Sequence, residues 1–186
     1  WLKSNKLCLN TKKTKYMIFH RDNWQIPEIN LKIENIEIER VETFNFLGLT
    51  IDKSLSWKPQ IDVTAKKLYK SIGIINRIKL IVPPYILTQI YYSIFHSYLT
   101  FQILAWGHCT DKLFLLQKQA LRLIHREHYL SHTDPLFLER RILKLEDLYE
   151  LSIINFFYRL EHQDVPKYFI DINIPHNRDN HDYDTR

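Results

Sequence analysis

The spacing of apolar residues along the chain changes its period once, near residue 56. Before that point, short stretches alternate between apolar and polar residues, a pattern that predicts β-strands. After it, apolar residues recur every three to four positions, which predicts amphipathic helices. We therefore expect an α+β fold, with a small antiparallel β head over residues 1–55 and an all-helical bundle over residues 56–165. Apolar residues become sparse after Pro166, so residues 166–186 are predicted to form a mobile tail.

Three patterns define the strands of the predicted head. Residues 16–20 have strand character, with side chains alternating between two faces. Residues 29–42 alternate with one polar face and a turn at Asn35, which predicts a hairpin. Residues 44–51 are apolar on both sides, so we expect a single strand buried within a sheet.

The helical body opens with an apolar stripe that predicts one long helix, and Pro83-Pro84 ends this helix and starts the next. That second helix is expected to run to Trp106, where Gly107 ends it. A third helix covers residues 113–124, and a short one begins near Asp134. The stripes of the first and last helices consist of Ile61, Ala65, Leu68, Ile72, Ile75 and Ile78, and of Leu148, Leu151, Ile154, Phe157 and Leu160.

Composition narrows the possible functions. The chain of 186 residues is long enough to bury one sizeable core. Its three glycines are far apart, which excludes a glycine-rich phosphate loop. Two cysteines are too few for a disulfide framework or a four-cysteine zinc site, so an intracellular location, in the cytoplasm and nucleus, is expected. The apolar segment 85–107 is interrupted by polar residues, which favours a buried helix over a membrane span.

Charge is distributed unevenly along the chain. The net charge of +5 is compatible with a nucleic-acid partner. Residues 58–79 carry six basic residues against Asp62, and a one-signed helix face can follow a phosphate backbone, with Tyr69 placed to stack on a base or sugar. A solvated helix face with Tyr69 at its edge is the alternative. The basic residues are Lys58, Lys66, Lys67, Lys70, Arg77 and Lys79. The acidic hairpin at residues 28–42, with five glutamates, is expected to face away from nucleic acid.

Several short motifs occur in a fixed order along nearly the whole chain. In these motifs and in their order, the sequence resembles the reverse transcriptases of non-LTR retrotransposons, the jockey-like and related long interspersed elements. Gln60 departs from the pattern, because the family often has His there. The motifs are Asn5 to Lys15, Phe46-Leu47-Gly48 with Asp52, Trp57 with Ile61, Trp106-Gly107, Leu116-Gln117 with Ala120 and Arg122, His132 to Pro135 with Leu136-Phe137, and Tyr183 to Arg186.

The resemblance implies that the chain is the end of a polymerase palm, followed by a helical thumb and connection. Phe46, Leu47 and Gly48 would then lie in the primer grip, where a glycine lets the primer backbone approach closely. Lys13 and Lys15 would lie near the incoming triphosphate, where a positive donor stabilises the leaving group; otherwise they are solvated turn residues. The partners implied are the primer–template duplex of RNA and DNA, and the upstream palm and fingers of the parent chain, but no membrane.

The catalytic aspartate pair that the family needs is not in this sequence, because Glu146-Asp147 is its only pair of adjacent acidic residues. The chain begins at Trp1 and its only methionine is Met17, so we expect a fragment of a longer chain. The intact parent enzyme is expected to use Mg²⁺, whereas no cofactor is expected in the fragment. Alone, it is predicted to lack polymerase activity. Two alternatives stay open: an inactive nucleic-acid-binding remnant, and a translated relic of a dead element.

Overall fold

The computed structural model describes residue 2 and residues 4–21, 23–24, 26–27 and 29–170. The tail predicted for residues 166–186, including the motif at Tyr183 to Arg186, therefore lies mostly outside the described residues. Within them, the chain forms short strands followed by helices, which confirms the α+β class. None of the described helices combines the length and the apolar character needed to cross a bilayer.

The strands form three separate two-stranded sheets within the described residues. Strand β1 (Lys15–Tyr16) pairs in parallel with β4 (Glu39–Arg40). Strand β2 (Lys32–Ile33) pairs antiparallel with β3 (Ile36–Glu37). Strand β5 (Thr43–Phe46) pairs antiparallel with β6 (Leu49–Asp52). The predicted hairpin within residues 29–42 is confirmed at β2 and β3, where the turn consists of Glu34 and Asn35.

Two strand predictions are wrong in extent. The predicted strand 44–51 is a hairpin, because the chain reverses at Leu47 and Gly48, whose φ angles are 48° and 86°. Its first strand, β5, is exposed along its whole length, so an apolar sequence on both sides of a strand did not mean burial. Of the strand predicted for residues 16–20, only Tyr16 lies in a β-strand. At the end of this segment, the His20 N–H donates to the Lys53 carbonyl at 3.0 Å.

Helix α1 (Lys58–Ile78) follows the predicted stripe closely. Five of the six predicted apolar positions are buried, and Ile78 is half-buried. The helix begins with a proline in its first turn. It ends at Ile78, before the predicted stop at Pro83-Pro84, whereas the next helix begins at Pro84 as predicted. Burial of this stripe ties α1 to the main apolar core, which also contains Leu49 of β6.

The second predicted helix is interrupted. Helix α2 (Pro84–Ile90) continues through a π-helix (Tyr91–His96) into α3 (Ser97–Thr100), and α4 (Ile103–Trp106) follows a break. At the break Phe101 is extended and Gln102 has a positive φ of 51°. The Trp106 indole N–H donates to the Phe101 carbonyl at 3.0 Å, so the break lets a large buried ring satisfy its only donor.

Four more helices complete the described part: α5 (Asp111–His125), α6 (Asp134–Arg140), α7 (Leu145–Glu161) and α8 (Lys167–Ile170). Helix α8 occupies the start of the segment predicted as a tail. Helices α1 and α5 run side by side in the same direction: Lys112 pairs with Asp62 at their starts, and Arg126 donates to the Lys79 and Val82 carbonyls at their ends.

The stripe predicted for α7 faces the core only at its beginning. Leu145 and Leu148 are buried, whereas Leu151, Ile154 and Phe157 are exposed. The helix is apolar on more than one side, so its periodicity identified a helix but not which face is buried.

One buried amide joins three segments of the helical body. The Gln117 side chain donates to the Tyr91 hydroxyl and to the Leu143 carbonyl, each at 2.9 Å. Its oxygen accepts from the Leu145 N–H at 3.0 Å, at the start of α7. Burial raises the pKa of Tyr91, so its phenol stays protonated at neutral pH. Gln117 thereby fixes α5 relative to the π-helix and α7.

Replacing Gln117 with Leu is expected to lower the free energy of unfolding by about 3 kcal/mol, because buried polar groups lose their partners. Urea denaturation followed by circular dichroism measures the change. Gln119→Leu, at an exposed position of the same helix, should shift stability by no more than about 0.5 kcal/mol. Equal destabilisation by the two substitutions would contradict this role for Gln117.

Candidate nucleic-acid interface

A buried joint fixes the β5–β6 hairpin to the start of α1. Gln60, which is 2% exposed, accepts a hydrogen bond from the Thr50 N–H of β6 at 2.9 Å. Its amide nitrogen donates to the Thr64 hydroxyl one turn along α1, at 3.2 Å. The side chain that departs from the family pattern is therefore the one that links strand to helix. Sequence alone did not identify Thr50 as its partner.

Asp52 forms the second half of this joint. It is 5% exposed, and its carboxylate accepts from the Ser54 hydroxyl at 2.8 Å, the Ser56 N–H at 2.9 Å and the Trp57 N–H at 3.0 Å. Burial alone would raise the pKa of Asp52, but the hydrogen bonds from Ser56, Ser54 and Trp57 outweigh it and hold the pKa below its usual value. These bonds shape the loop that leads from the end of β6 into α1.

The turn of this hairpin projects away from the core. Phe46 is 56% exposed and Leu47 is 77% exposed. The Gly48 N–H donates to the Asn45 side chain at 3.1 Å, which closes the turn. A Cβ atom added at Gly48 would lie 3.3 Å from Phe101. The structure thus gives Gly48 a role in turn geometry, whereas a contact between Phe46, Leu47 or Gly48 and a primer stays a prediction.

The outer face of α1 is positively charged. Lys58, Lys66, Lys70 and Arg77 are exposed, and Tyr69 among them is 54% exposed. Lys67 is half-buried, with its ammonium 5.3 Å from the centre of the Tyr98 ring. Across the part of the chain that the structure describes, none of these five cations forms an ion pair with a carboxylate. Their charge is therefore available to an external anion.

The acidic residue on this helix, Asp62, already has an ion-pair partner within the protein. Asp62 pairs with Lys112 of α5, and the hydrogen bond that the Lys112 ammonium donates to the Asp62 carboxylate raises the pKa of Lys112. Lys112 also interacts electrostatically with Tyr69. Lys112 thus adds a cation beside the basic face of α1. Sequence reasoning missed it, because a pair 50 positions apart leaves no local signal.

The two lysines predicted near the triphosphate lie in different settings. Lys13 is exposed in a turn closed by its N–H to the Asn10 carbonyl at 3.0 Å. Lys15 pairs with Glu39 at 3.0 Å and lines an apolar pocket of about 190 Å³ together with Phe44 and Phe46. The structure therefore brings Lys15, but not Lys13, to the residues of the hairpin.

The glutamates of the acidic hairpin that the structure describes are exposed, and two of them form ion pairs within the head. Glu34 and Glu37 are exposed, Glu39 binds Lys15, and Glu42 binds Lys53 at 2.9 Å. These carboxylates neutralise nearby lysines of the head and none of the cations of α1. The separation of charge between β head and α1 agrees with the uneven charge of the sequence.

The described residues do not fit a magnesium site. Among them, no three or more His, Cys, Asp or Glu side chains converge as metal ligands. His125 and His128 do not lie on one helix, because α5 ends at His125 and Arg126 adopts a positive φ of 59°. His125 instead faces Glu139 at 3.5 Å, and the His128 ring accepts from the Leu130 N–H at 3.3 Å.

Comparison of the chain with protein-family models, with curated proteins and with solved structures found no match in any of the three.

Asp52→Asn is expected to lower the free energy of unfolding at pH 7 by about 2 kcal/mol, because one amide group would face backbone N–H donors. The folded-state pKa of Asp52 is depressed, so its contribution is present above the unfolded pKa of about 4 and is lost as pH falls through the folded pKa. Urea titrations of both proteins between pH 7 and pH 2.5 measure this.

The difference between wild type and Asp52→Asn should shrink below about pH 4. Glu42→Gln removes an exposed ion pair with Lys53 and should leave stability nearly unchanged at any pH. A difference at Asp52 that stays constant down to pH 2.5 would rule out the charged carboxylate as its cause.

Proposed function

We propose that this chain is the C-terminal part of the RNA-directed DNA polymerase of a non-LTR retrotransposon, and that it holds the primer–template duplex. The observation that carries the proposal is the row of exposed cations along α1, which have no carboxylate partner among the residues that the structure describes. Ordinary exposed helices mix charges of both signs, whereas this one is positive along its length and its single carboxylate is bound by Lys112. A phosphate backbone is the partner that such a face fits.

The joint at Gln60 and Asp52 supports a combined role for hairpin and helix. A grip must hold two parts of the duplex in fixed relative positions, and buried hydrogen bonds make the connection between β6 and α1 stiff. In the proposal, the exposed turn at Phe46 and Leu47 contacts the primer end while α1 follows the duplex. Lys15, beside Phe46, would lie on the side of the incoming triphosphate.

The β head has an exposed apolar surface that supports the proposed upstream partner. Phe19 is 58% exposed and Trp24 is 68% exposed, and Phe44 and Phe46 border the pocket near Lys15. Apolar patches of this kind mark contact surfaces. In the proposal, the palm of the parent chain covers this surface and supplies the carboxylates that hold Mg²⁺. The proposed place of action is inside the cell, in the cytoplasm and nucleus.

The binding role predicts a measurable electrostatic signature. The purified chain should bind a primer–template duplex with an affinity that falls steeply with salt. Lys66→Gln, Lys70→Gln and Arg77→Gln should each weaken binding and lower the slope of log K against log salt concentration by about 0.9, the contribution of one phosphate contact. Fluorescence anisotropy over a salt series measures both quantities.

Glu37→Gln and Glu34→Gln are controls on the acidic hairpin. Each changes the net charge by one unit, as the α1 substitutions do, but in the opposite direction. They should leave the slope unchanged and tighten binding only slightly through the smaller net repulsion. Slopes that do not respond to the α1 substitutions would contradict the proposed interface.

The polymerase role makes a separate prediction. The chain alone should not extend a primer in the presence of Mg²⁺, because two-metal phosphoryl transfer needs converging carboxylates. Robust extension by the purified chain would contradict this. Joined to an intact palm and fingers of the same family, it should support extension. Binding without extension in that fusion would instead favour a nucleic-acid-binding remnant.

A further inference from the structure

The second half of α7 presents an apolar stripe to solvent. Within the described residues, α7 enters the apolar core through Leu145 and Leu148 and touches its edge through Tyr149. Beyond that point, four large apolar side chains at helical spacing are exposed: Leu151, Ile154, Phe157 and Tyr158. A helix in water normally turns such a stripe toward a packing partner. Exposed apolar stripes of this kind mark contact surfaces.

Helix α8 covers a different side of α7. The half-buried Phe156 ring lies edge-to-face against the Phe169 ring of α8, with 5.7 Å between the ring centres. With this contact in place, Ile154 is still 63% exposed and Tyr158 is 60% exposed. The exposed stripe is therefore not the surface on which α8 packs.

A carboxylate lies at each end of the stripe. Glu150 is four residues before Ile154 and Glu161 is four residues after Phe157, so both share its face of the helix. Along the helix axis the two glutamates are about 16 Å apart. Both are exposed, and neither forms an ion pair with a cation among the residues that the structure describes. The outer α7 face consists of Glu150, Leu151, Ile154, Phe157, Tyr158 and Glu161.

Two other carboxylates of this segment, in contrast, have partners in the fold. Asp147 accepts a hydrogen bond from the Lys144 N–H at 3.3 Å, and Asp164 binds Arg159 at 3.0 Å. Residues 145–164 carry five carboxylates against one arginine, in a chain whose net charge is +5. The outer α7 face is thus an acidic surface on a basic protein, and the charges at its two ends have no counter-charge in the described fold.

We propose that the outer α7 face is the docking site for an amphipathic helix of another protein, one that carries lysine or arginine at both ends of its apolar stripe. Its apolar residues cover the stripe of α7. Its cations, about eleven residues apart, pair with Glu150 and Glu161. The apolar contact supplies affinity, and the charges at the ends fix the register of the two helices. This inference goes beyond the proposed function and does not depend on it.

The charges of the outer α7 face argue against other occupants. If two copies of the chain paired antiparallel, Glu150 of one copy would face Glu161 of the other, and parallel pairing would set each glutamate opposite itself. Like charges meet in both arrangements. Residues 171–186 contain four aspartates and two arginines, so they repeat the same sign. Helices that lie on membranes carry Lys and Arg beside their apolar residues and bind anionic lipids, which glutamates repel.

Two labelled model peptides test the proposal. Each has about 18 residues, enough for five helical turns, with leucine on one face. The first has lysine at the other positions, and the second has glutamate there. Fluorescence anisotropy with the purified chain should show that the lysine peptide binds about tenfold or more tightly than the glutamate peptide, because charge complementarity sets partner choice.

Two variants locate the binding surface. Ile154→Gln should weaken binding of the lysine peptide by about tenfold or more, since it removes an apolar side chain at the centre of the contact. Its melting temperature should stay close to that of wild type, because Ile154 is exposed. Glu150→Lys combined with Glu161→Lys should reverse the preference, so that the glutamate peptide binds more tightly than the lysine peptide.

The chain offers a matched control for each variant. Leu138→Gln also replaces an exposed apolar residue, but on α6, and should leave the affinity for the lysine peptide unchanged. Glu34→Lys combined with Glu37→Lys changes the net charge as much as the double substitution on α7 does. Because it lies on the acidic hairpin, it should not reverse the preference between the peptides.

Each contrary outcome has a distinct meaning. No binding of the lysine peptide, or binding that Ile154→Gln leaves unchanged, would overturn the proposed site. Equal affinity of wild type for both peptides would refute the charge match. If the wild-type chain sediments as a dimer and Ile154→Gln makes it monomeric, the face belongs to a second copy instead. Binding to phosphatidylcholine vesicles that Ile154→Gln abolishes would assign the face to a membrane. No nucleic acid enters these measurements, so duplex binding by α1 is tested separately.

Discussion

Helix α1 must bury one side in the apolar core and keep its cations in water, and the proposed interface depends on this division. Leu68 and Ile75 are fully buried on the inner side, which fixes the rotation of the helix about its axis. Once that rotation is set, Lys66, Lys70 and Arg77 have to face outward together. The core thus determines where the positive charge lies, and the pairing of Asp62 with Lys112 keeps the carboxylate of α1 from neutralising it.

The second constraint is the connection between the hairpin and α1. Three kinds of contact converge there: the Gln60 amide on Thr50, the Asp52 carboxylate on the loop N–H groups, and Leu49 in the apolar core. The boundary near residue 55, predicted from the change in apolar period, is thus crossed by buried hydrogen bonds. The exposed turn at Phe46 and Leu47 is attached to the basic helix and not merely next to it in sequence. A duplex held by both would meet one stiff surface.

The helical body was more predictable from sequence than the β head. The apolar residues of α1 recur with the helical period and lie on one face. The pattern therefore predicted both the helix and the side of it that is buried. The prediction of a single strand over residues 44–51 was wrong. The turn there depends on the positive φ angles of Leu47 and Gly48, and apolar periodicity carries no information about φ. The buried face of helix α7 was predicted wrongly, because this helix is apolar on several sides. Of the interface, the cations of α1 were predictable from charge, whereas Lys112 and the partners of Gln60 required the tertiary fold.

Protection of individual lysines from acetylation by a bound primer–template duplex would test the central claim most directly, with the modified positions identified by mass spectrometry. The account predicts that the duplex protects Lys58, Lys66 and Lys70 of α1 while Lys32 of the acidic hairpin and Lys167 of α8 stay as reactive as in the free chain. Equal reactivity of the α1 lysines with and without duplex, or protection confined to Lys32 and Lys167, would contradict it.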